Sequence, residues 1–390
     1  MTDGVVLTGA RLVGDGFDGV EGWVEVRGQR ITAVGEQTPP SGTASIDVGG
    51  LLLMPGLVDV HQHGGGGGSY DGGPAAATEA VRYHRRHGTT TSMASLVSAP
   101  LGVLAEQVRA LVPLVEDGTL AGLHLEGPWL NPARAGAHAL AALALPRPED
   151  IDRLLAAGRG AIRMVTLAPE LPGGLDAVDQ LTAAGVVVAL GHTDADHATT
   201  REALRRGARA GTHLFNAMRP VHHREPGPVP ALLESGAAVE LIADGVHLHA
   251  AVVALAARAA GPGRTVLVTD ANAAAGMPDG RYRLGERLVT VTDGVARGRG
   301  GEIAGGTGTL ADAVRFAVTE AGLPLRAAVT AATSTPAALL GLADVGRLTP
   351  GAWADLVLMT PDLRVAGVLH RGAWARALPP LPDIQTERPT

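Results

Sequence analysis

Eight short apolar runs dominate the middle of this 390-residue chain, six of them closing on ionisable residues, and they alternate with stretches rich in Ala, Leu and Arg at helical period. They are Leu57 to His63, Thr90 to Leu96, Gly122 to Glu126, Arg163 to Ala168, Val186 to His192, Ala210 to His213, Val239 to Asp244 and Thr265 to Asp270. Buried runs alternating with amphipathic helices are the pattern of βα units around a parallel sheet. Eight of them predict a closed (β/α)8 TIM barrel, an α/β fold. In such a barrel the functional groups gather at the C-terminal ends of the strands, so the residues closing each run are the ones to read for chemistry.

The two ends of the chain differ from this middle. Residues 1–50 alternate apolar and polar positions in short pieces such as Trp23-Val24-Glu25-Val26, broken by Gly, Asp and Pro. Ala354-Asp355-Leu356-Val357-Leu358 and Val365-Ala366-Gly367-Val368-Leu369 repeat the pattern near the other end. The expectation is a small β-sandwich domain formed by the N- and C-terminal segments, residues 1–54 and 341–390, flanking a catalytic barrel over 55–340.

Charge and composition exclude several classes of function. A formal net charge of −7 leaves no basic excess for a polyphosphate backbone, so nucleic acid is not an expected partner. No apolar run reaches the roughly 18 residues a membrane span needs, and the first residues carry no basic leader before an apolar stretch, so the expectation is a cytoplasmic protein. There is no cysteine, hence no disulfide, thiolate ligand or cysteine nucleophile. All 32 basic residues are arginines, which removes Schiff-base, phosphate-loop and carbamylated lysines together. Any anion bridging two metals must come from Asp or Glu. The Gly64 to Gly68 run, with no lysine or dinucleotide fingerprint after it, reads as a flexible loop.

At the run ends stand His61-Gln62-His63, Glu126, His192, His213 and Asp270. Residues i and i+2 of a strand point the same way, so both imidazoles of the first run can reach one point. Burying this many ionisable groups without partners is expensive. A shared metal centre resolves that cost, because a cation neutralises carboxylates and takes neutral imidazoles as ligands. Amide hydrolysis near neutral pH suits such a centre.

The stretches Pro55-Gly56-Leu57-Val58-Asp59-Val60-His61-Gln62-His63-Gly64, His124-Leu125-Glu126-Gly127-Pro128-Trp129, Gly191-His192-Thr193-Asp194-Ala195, His213-Leu214-Phe215-Asn216-Ala217-Met218, His223-Arg224-Glu225-Pro226-Gly227, Ala243-Asp244-Gly245-Val246-His247 and Val268-Thr269-Asp270-Ala271 carry a family likeness. Together they resemble the N-acetylglucosamine-6-phosphate deacetylases, a branch of the amidohydrolase superfamily. Ile303-Ala304-Gly305-Gly306 and Leu348-Thr349-Pro350-Gly351-Ala352-Trp353-Ala354-Asp355 extend the likeness over nearly the whole chain.

The resemblance implies metal-dependent removal of the N-acetyl group from N-acetyl-D-glucosamine 6-phosphate. It makes Glu126, His192 and His213 metal ligands and Asp270 both the catalytic acid/base and a metal ligand. With His61 and His63 both present the chain resembles the two-metal form, Glu126 bridging. One or two divalent ions per chain are expected, zinc foremost, with Fe, Mn, Ni or Co as alternatives. His138 matches a histidine that hydrogen-bonds the substrate near its acyl group. Asn216, Ala217, Arg224 and His247 match substrate-binding positions, with Arg224 reaching the neighbouring active site of a homodimer to meet the phosphate. Two other readings stay open: N-acetylgalactosamine 6-phosphate as substrate, and an amidohydrolase acting on a cyclic amide.

Overall fold

The computed structural model describes residues 4–378; the outermost parts of the expected small domain, 1–3 and 379–390, lie outside the described residues. Eight parallel strands form the central sheet in sequence order: Leu57–Asp59, Thr89–Val97, Gly122–Glu126, Ile162–Leu167, Val187–Leu190, Ala210–Gly211, Ala238–Ile242 and Thr265–Val268. A helix follows each, from Pro74–Arg86 after the first to Leu310–Thr319 after the eighth. Between the eighth strand and the first, Asp270 donates its backbone N–H to His61 O at 2.9 Å and Thr269 Oγ1 donates to Asp59 Oδ2 at 2.6 Å. The barrel is closed at its mouth by the residues that carry the predicted chemistry.

Strands buried on both faces explain the continuous apolar runs. Val58, Val60, Met93, Met164, Ala189, Ile242, Val266 and Val268 fill the barrel interior, while Leu57, Leu96, Leu123, Leu125, Val165, Leu167, Val188, Leu190, Val239, Leu241 and Leu267 pack outward against the helices. Several helices carry the expected terminal signals. Asp196 accepts the Thr199 N–H at the start of His197–Arg205, and Thr309 with Asp312 forms a capping box at Leu310–Thr319.

The sheet domain expected from both ends is present. Its eight strands form one branched ladder: Ala373–Arg376, Val365–His370, Leu356–Met359, Leu52–Pro55, Val5–Gly14, Phe17–Arg27 and Arg30–Gly35 in spatial order, with Ala44–Asp47 also pairing Val5–Gly14. Alternation divides its side chains between two cores. Leu53, Leu356 and Leu358 join Leu7, Leu12, Val24 and Ile31, whereas Leu52, Met54, Val357 and Met359 belong to the core beneath the barrel helices. The Pro350 to Asp355 motif fastens this join. Asp355 O accepts the Gly56 N–H at 2.8 Å as the chain enters the barrel, and Asp355 Oδ1 accepts the Arg371 N–H at 2.7 Å.

The glycine run corrects the flexible-loop expectation. Gly64–Gly65 pairs antiparallel with Gly68–Ser69, and Gly64, Gly66 and Gly67 donate their N–H groups to Ala271, Ala275 and Ala273 carbonyls at 2.8–2.9 Å. A side chain at Gly64 would meet Gly68 O at 2.3 Å, and one at Gly65 would meet the His84 ring at 2.5 Å. Glycine is needed here for close approach of two backbones, and the hairpin braces the segment that begins at Asp270.

Candidate active site

The barrel mouth gathers six ionisable side chains into two groups, His61, His63 and Asp270 in one and Glu126, His192 and His213 in the other, with the potential ligand atoms of each group within 4.8 Å of one another. Glu126, at the end of the third strand, stands between them. Its Oε1 lies 3.1 Å from His192 Nε2 and 3.0 Å from His213 Nε2; its Oε2 lies 3.2 Å from His63 Nε2. Asp270 Oδ1 lies 3.0 Å from His63 Nε2 and 3.6 Å from His61 Nε2. All six residues are buried.

The backbone is bent to bring them there. His192, His213, Phe215, Ala217 and Asp270 have φ values of +47°, +27°, +76°, +50° and +48°, a region that side chains with a Cβ disfavour. Such outliers gather where surrounding structure holds them for a purpose. Part of the holding is visible. His192 Nδ1 lies 2.8 Å from Arg134 O and His63 Nδ1 lies 3.1 Å from Ser95 O, so each ring donates on Nδ1 and turns its Nε2 inward.

The electrostatics call for positive charge. Burial alone would raise the carboxyls of Glu126 and Asp270, but His61 and His138 around the first, and His63 and His61 around the second, hold both below the usual carboxylate range. Burial alone would lower the two imidazoles of the first strand; instead the Glu126 and Glu240 carboxylates hold His61 well above 6.5, and Asp270 and Glu126 hold His63 up at about 9. The carboxylates draw protons onto the neighbouring rings, and a divalent cation can take the place of those protons between anionic carboxylates and inward-facing imidazole nitrogens. The orphaned His61 Nε2, which makes no hydrogen bond among the described residues, fits the same demand.

A cavity of about 350 Å³ opens over this floor, lined by His63, Glu126, His138, Asn216, Ala217, His247 and Asp270 among others. His138 Nδ1 accepts the Ser98 N–H at 3.2 Å, which leaves its proton on Nε2, 3.2 Å from Glu126 Oε2. Burial pushes His138 down to about 4, so it is a neutral donor. His247 Nδ1 lies 2.7 Å from Asp244 Oδ2; burial opposes its protonation, but the Asp244 carboxylate raises it above 6.5. Asn216 Nδ2 donates to His213 O at 3.1 Å. Arg224 is the exception among the predicted site residues. It sits on an exposed loop against His223 Nε2 at 2.7 Å and does not line the cavity.

Other participants escaped the reading of strand ends. Arg287, on a hairpin that overhangs the cavity, donates to Ala137 O and His138 O at 3.0 and 3.2 Å while paired with Glu302 at 2.8 Å. Beneath the floor, His124 bridges Ser95 Oγ and Thr166 Oγ1 at 2.9 and 2.8 Å, and burial pushes it well below 6.5. Glu240 lies inside the seventh strand rather than at its end. The one available signal for it was a charge in an otherwise apolar run.

Known proteins with the same organisation are numerous. The profile of the amidohydrolase family matches residues 52–375. The N-acetylglucosamine-6-phosphate deacetylase of Lysinibacillus sphaericus is 34% identical over 352 residues, 88% of this chain and 90% of that protein. The N-acetylgalactosamine-6-phosphate deacetylase of Escherichia coli O157:H7 is 36% identical over 366 residues, covering 91% of this chain and 96% of the other. A Mycobacterium smegmatis N-acetyl-D-glucosamine-6-phosphate deacetylase mutant, solved in complex with N-acetyl-D-glucosamine-6-phosphate, superposes with a TM-score of 0.93 at 45% identity, over 96% of this chain and 100% of that one. With the family profile matched over residues 52–375 and relatives and solved structures aligned over most of its length, the chain belongs to the amidohydrolase family, in its branch of N-acetylglucosamine-6-phosphate deacetylases.

Proposed function

We propose that this enzyme hydrolyses the N-acetyl group of N-acetyl-D-glucosamine 6-phosphate, releasing D-glucosamine 6-phosphate and acetate. The observation that carries the reading is Glu126, which belongs to one three-residue group and reaches His63 of the other, at the floor of a cavity that also presents Asp270 and His138. Glu126, His192 and His213 would hold one divalent ion, and His61, His63 and Asp270 a second, with Glu126 facing both. Imidazole and carboxylate donors without thiolates suit zinc, and Fe, Mn, Ni or Co as alternatives. When bound, such an ion supplies Lewis acidity, which makes water a nucleophile near neutral pH and polarises an acyl carbonyl.

The chain's own groups do the rest. Asp270, held anionic, accepts a proton from the attacking water and returns it to the sugar nitrogen as the C–N bond breaks, so the departing group leaves as an amine. His138 donates its Nε2–H to the acyl oxygen, where negative charge develops. Asn216, the Ala217 backbone and His247 border the sugar side of the cavity. Arg224, exposed and absent from the lining of its own cavity, is assigned to the phosphate in a neighbouring subunit's site, which makes the active unit a homodimer. Among the described residues no helix is long and apolar enough to cross a membrane, in keeping with a cytoplasmic enzyme.

N-acetylgalactosamine 6-phosphate is the second reading, supported by the Escherichia coli relative. Amine release from both N-acetylhexosamine 6-phosphates and from their unphosphorylated forms tests the assignment. The highest kcat/KM is expected on the glucosamine 6-phosphate derivative, and a higher value on either the galactosamine epimer or an unphosphorylated sugar would overturn it.

A further inference from the structure

Glu240 takes no part in the chemistry above, yet its side chain touches both halves of the centre. It is the one charged residue of the strand Ala238–Ile242 and is 0% exposed. Its Oε2 lies 3.0 Å from His61 Nδ1 and accepts the backbone N–H of His213 at 3.1 Å. His61 belongs to one ligand group and His213 to the other. A buried carboxylate is costly unless its partners compensate it, and these two are the partners it has.

We infer that Glu240 is a positioning residue for metal binding, one carboxylate that orients a ligand of each ion. Its geometry acts on His61 through the ring and on His213 through the backbone. With Nδ1–H donated to Glu240, His61 turns Nε2 toward Glu126 Oε1 at 3.5 Å and Asp270 Oδ1 at 3.6 Å, where it has no hydrogen-bond partner among the described residues. His213 is held at φ +27° by the same oxygen, and its neighbour Leu214 donates its N–H to Glu240 O at 2.8 Å. His63 and His192 rest on backbone carbonyls instead, so Glu240 holds the ring of His61 alone and reaches His213 only through its backbone N–H.

This inference rests on the metal reading of the two groups and deepens it, and the test separates the two. Zn2+ and Co2+ binding to the metal-free protein is measured by chelator competition in wild type and in Glu240→Gln, with thermal unfolding of both metal-free forms. Glu240→Gln should weaken binding of one ion about 10- to 100-fold, the range for removing a partner behind a metal-bound imidazole. Wild type that holds no ion would remove the metal reading and the inference together. Wild type that holds its ions, with Glu240→Gln holding them as tightly and losing only unfolding temperature, would leave the metal reading standing and overturn the inference. Should Glu240→Gln not fold, Co2+-loaded wild type gives the answer by proton NMR. The His61 Nδ1–H should appear as a hyperfine-shifted, slowly exchanging resonance absent from His61→Asn; its rapid exchange, or coordination through Nδ1, would overturn the inference.

Discussion

The Nε2 atoms of His192 and His213 lie 3.0 Å apart, each within 3.1 Å of the same Glu126 oxygen. With His192 donating its Nδ1–H to Arg134 O, its Nε2 is turned toward the other ring and the carboxylate. Such a meeting of donors and a carboxylate is stable around a cation. Purified protein should therefore contain up to two divalent ions per chain, measurable by elemental analysis, and chelation should abolish activity and lower the unfolding temperature. A fully active, chelator-insensitive protein without stoichiometric metal would sink the assignment.

Asp270 is buried against His63 and bound into the barrel seam by its own N–H to His61 O. Asp270→Asn keeps the size and removes the base. Turnover should fall at least about a hundredfold, the lower end for losing general acid/base catalysis, while substrate binding measured by titration persists. Near-normal turnover would place the proton shuttle elsewhere.

His84 supplies a pH dependence independent of the reaction. It is 0% exposed, donates Nε2–H to Gly64 O at 2.8 Å and has no partner on Nδ1 among the described residues; burial pushes it down to about 4. The unfolded chain binds its proton below about 6.5, the folded chain only below about 4, so stability falls as pH drops through that window. The loss amounts to about 3 kcal/mol across the full window. Urea unfolding between pH 7.5 and 4.5 should show a steeper loss in wild type than in His84→Gln. Parallel slopes would mean that His84 takes up its proton in the folded state.

The sequence made the barrel and the six centre residues legible for one reason. A strand buried on both faces must be largely apolar, so the polar residue that ends it stands out, as His192 does after Val187 to Gly191. Glu240 escaped because a single acid inside an apolar run resembles a solvent-facing position until the barrel closes around it. The glycine hairpin escaped because composition cannot distinguish glycines that confer freedom from glycines that admit a neighbour at 2.3 Å. Arg287 reaches His138 across 149 residues of sequence, a distance at which no local pattern operates.

Arg224 poses the question of the phosphate. The residue comes from a block that resembles the family's substrate-binding segment, yet in the monomer it is exposed, in contact with His223, and absent from the cavity wall. Under the proposed function, the arginine serves the site of another copy of the chain. A guanidinium is suited to that task, since its planar fork can donate two parallel hydrogen bonds to phosphate oxygens. Losing one charge-assisted contact costs about 1.5–3 kcal/mol, roughly ten- to a hundredfold in affinity. Arg224→Ala should accordingly lower kcat/KM on the 6-phosphate substrate by that factor and leave the poor rate on free N-acetylglucosamine nearly unchanged, because the metal centre is intact. Mixing Arg224→Ala with Asp270→Asn chains should restore activity, since a heterodimer then holds one site with a sound Asp270 and a donated arginine. Equal losses on phosphorylated and unphosphorylated sugars would assign Arg224 to the fold or the dimer instead. A loss confined to the phosphorylated sugar, with no recovery on mixing, would keep the phosphate contact and place the arginine in its own subunit's site after a movement of the 222–227 loop.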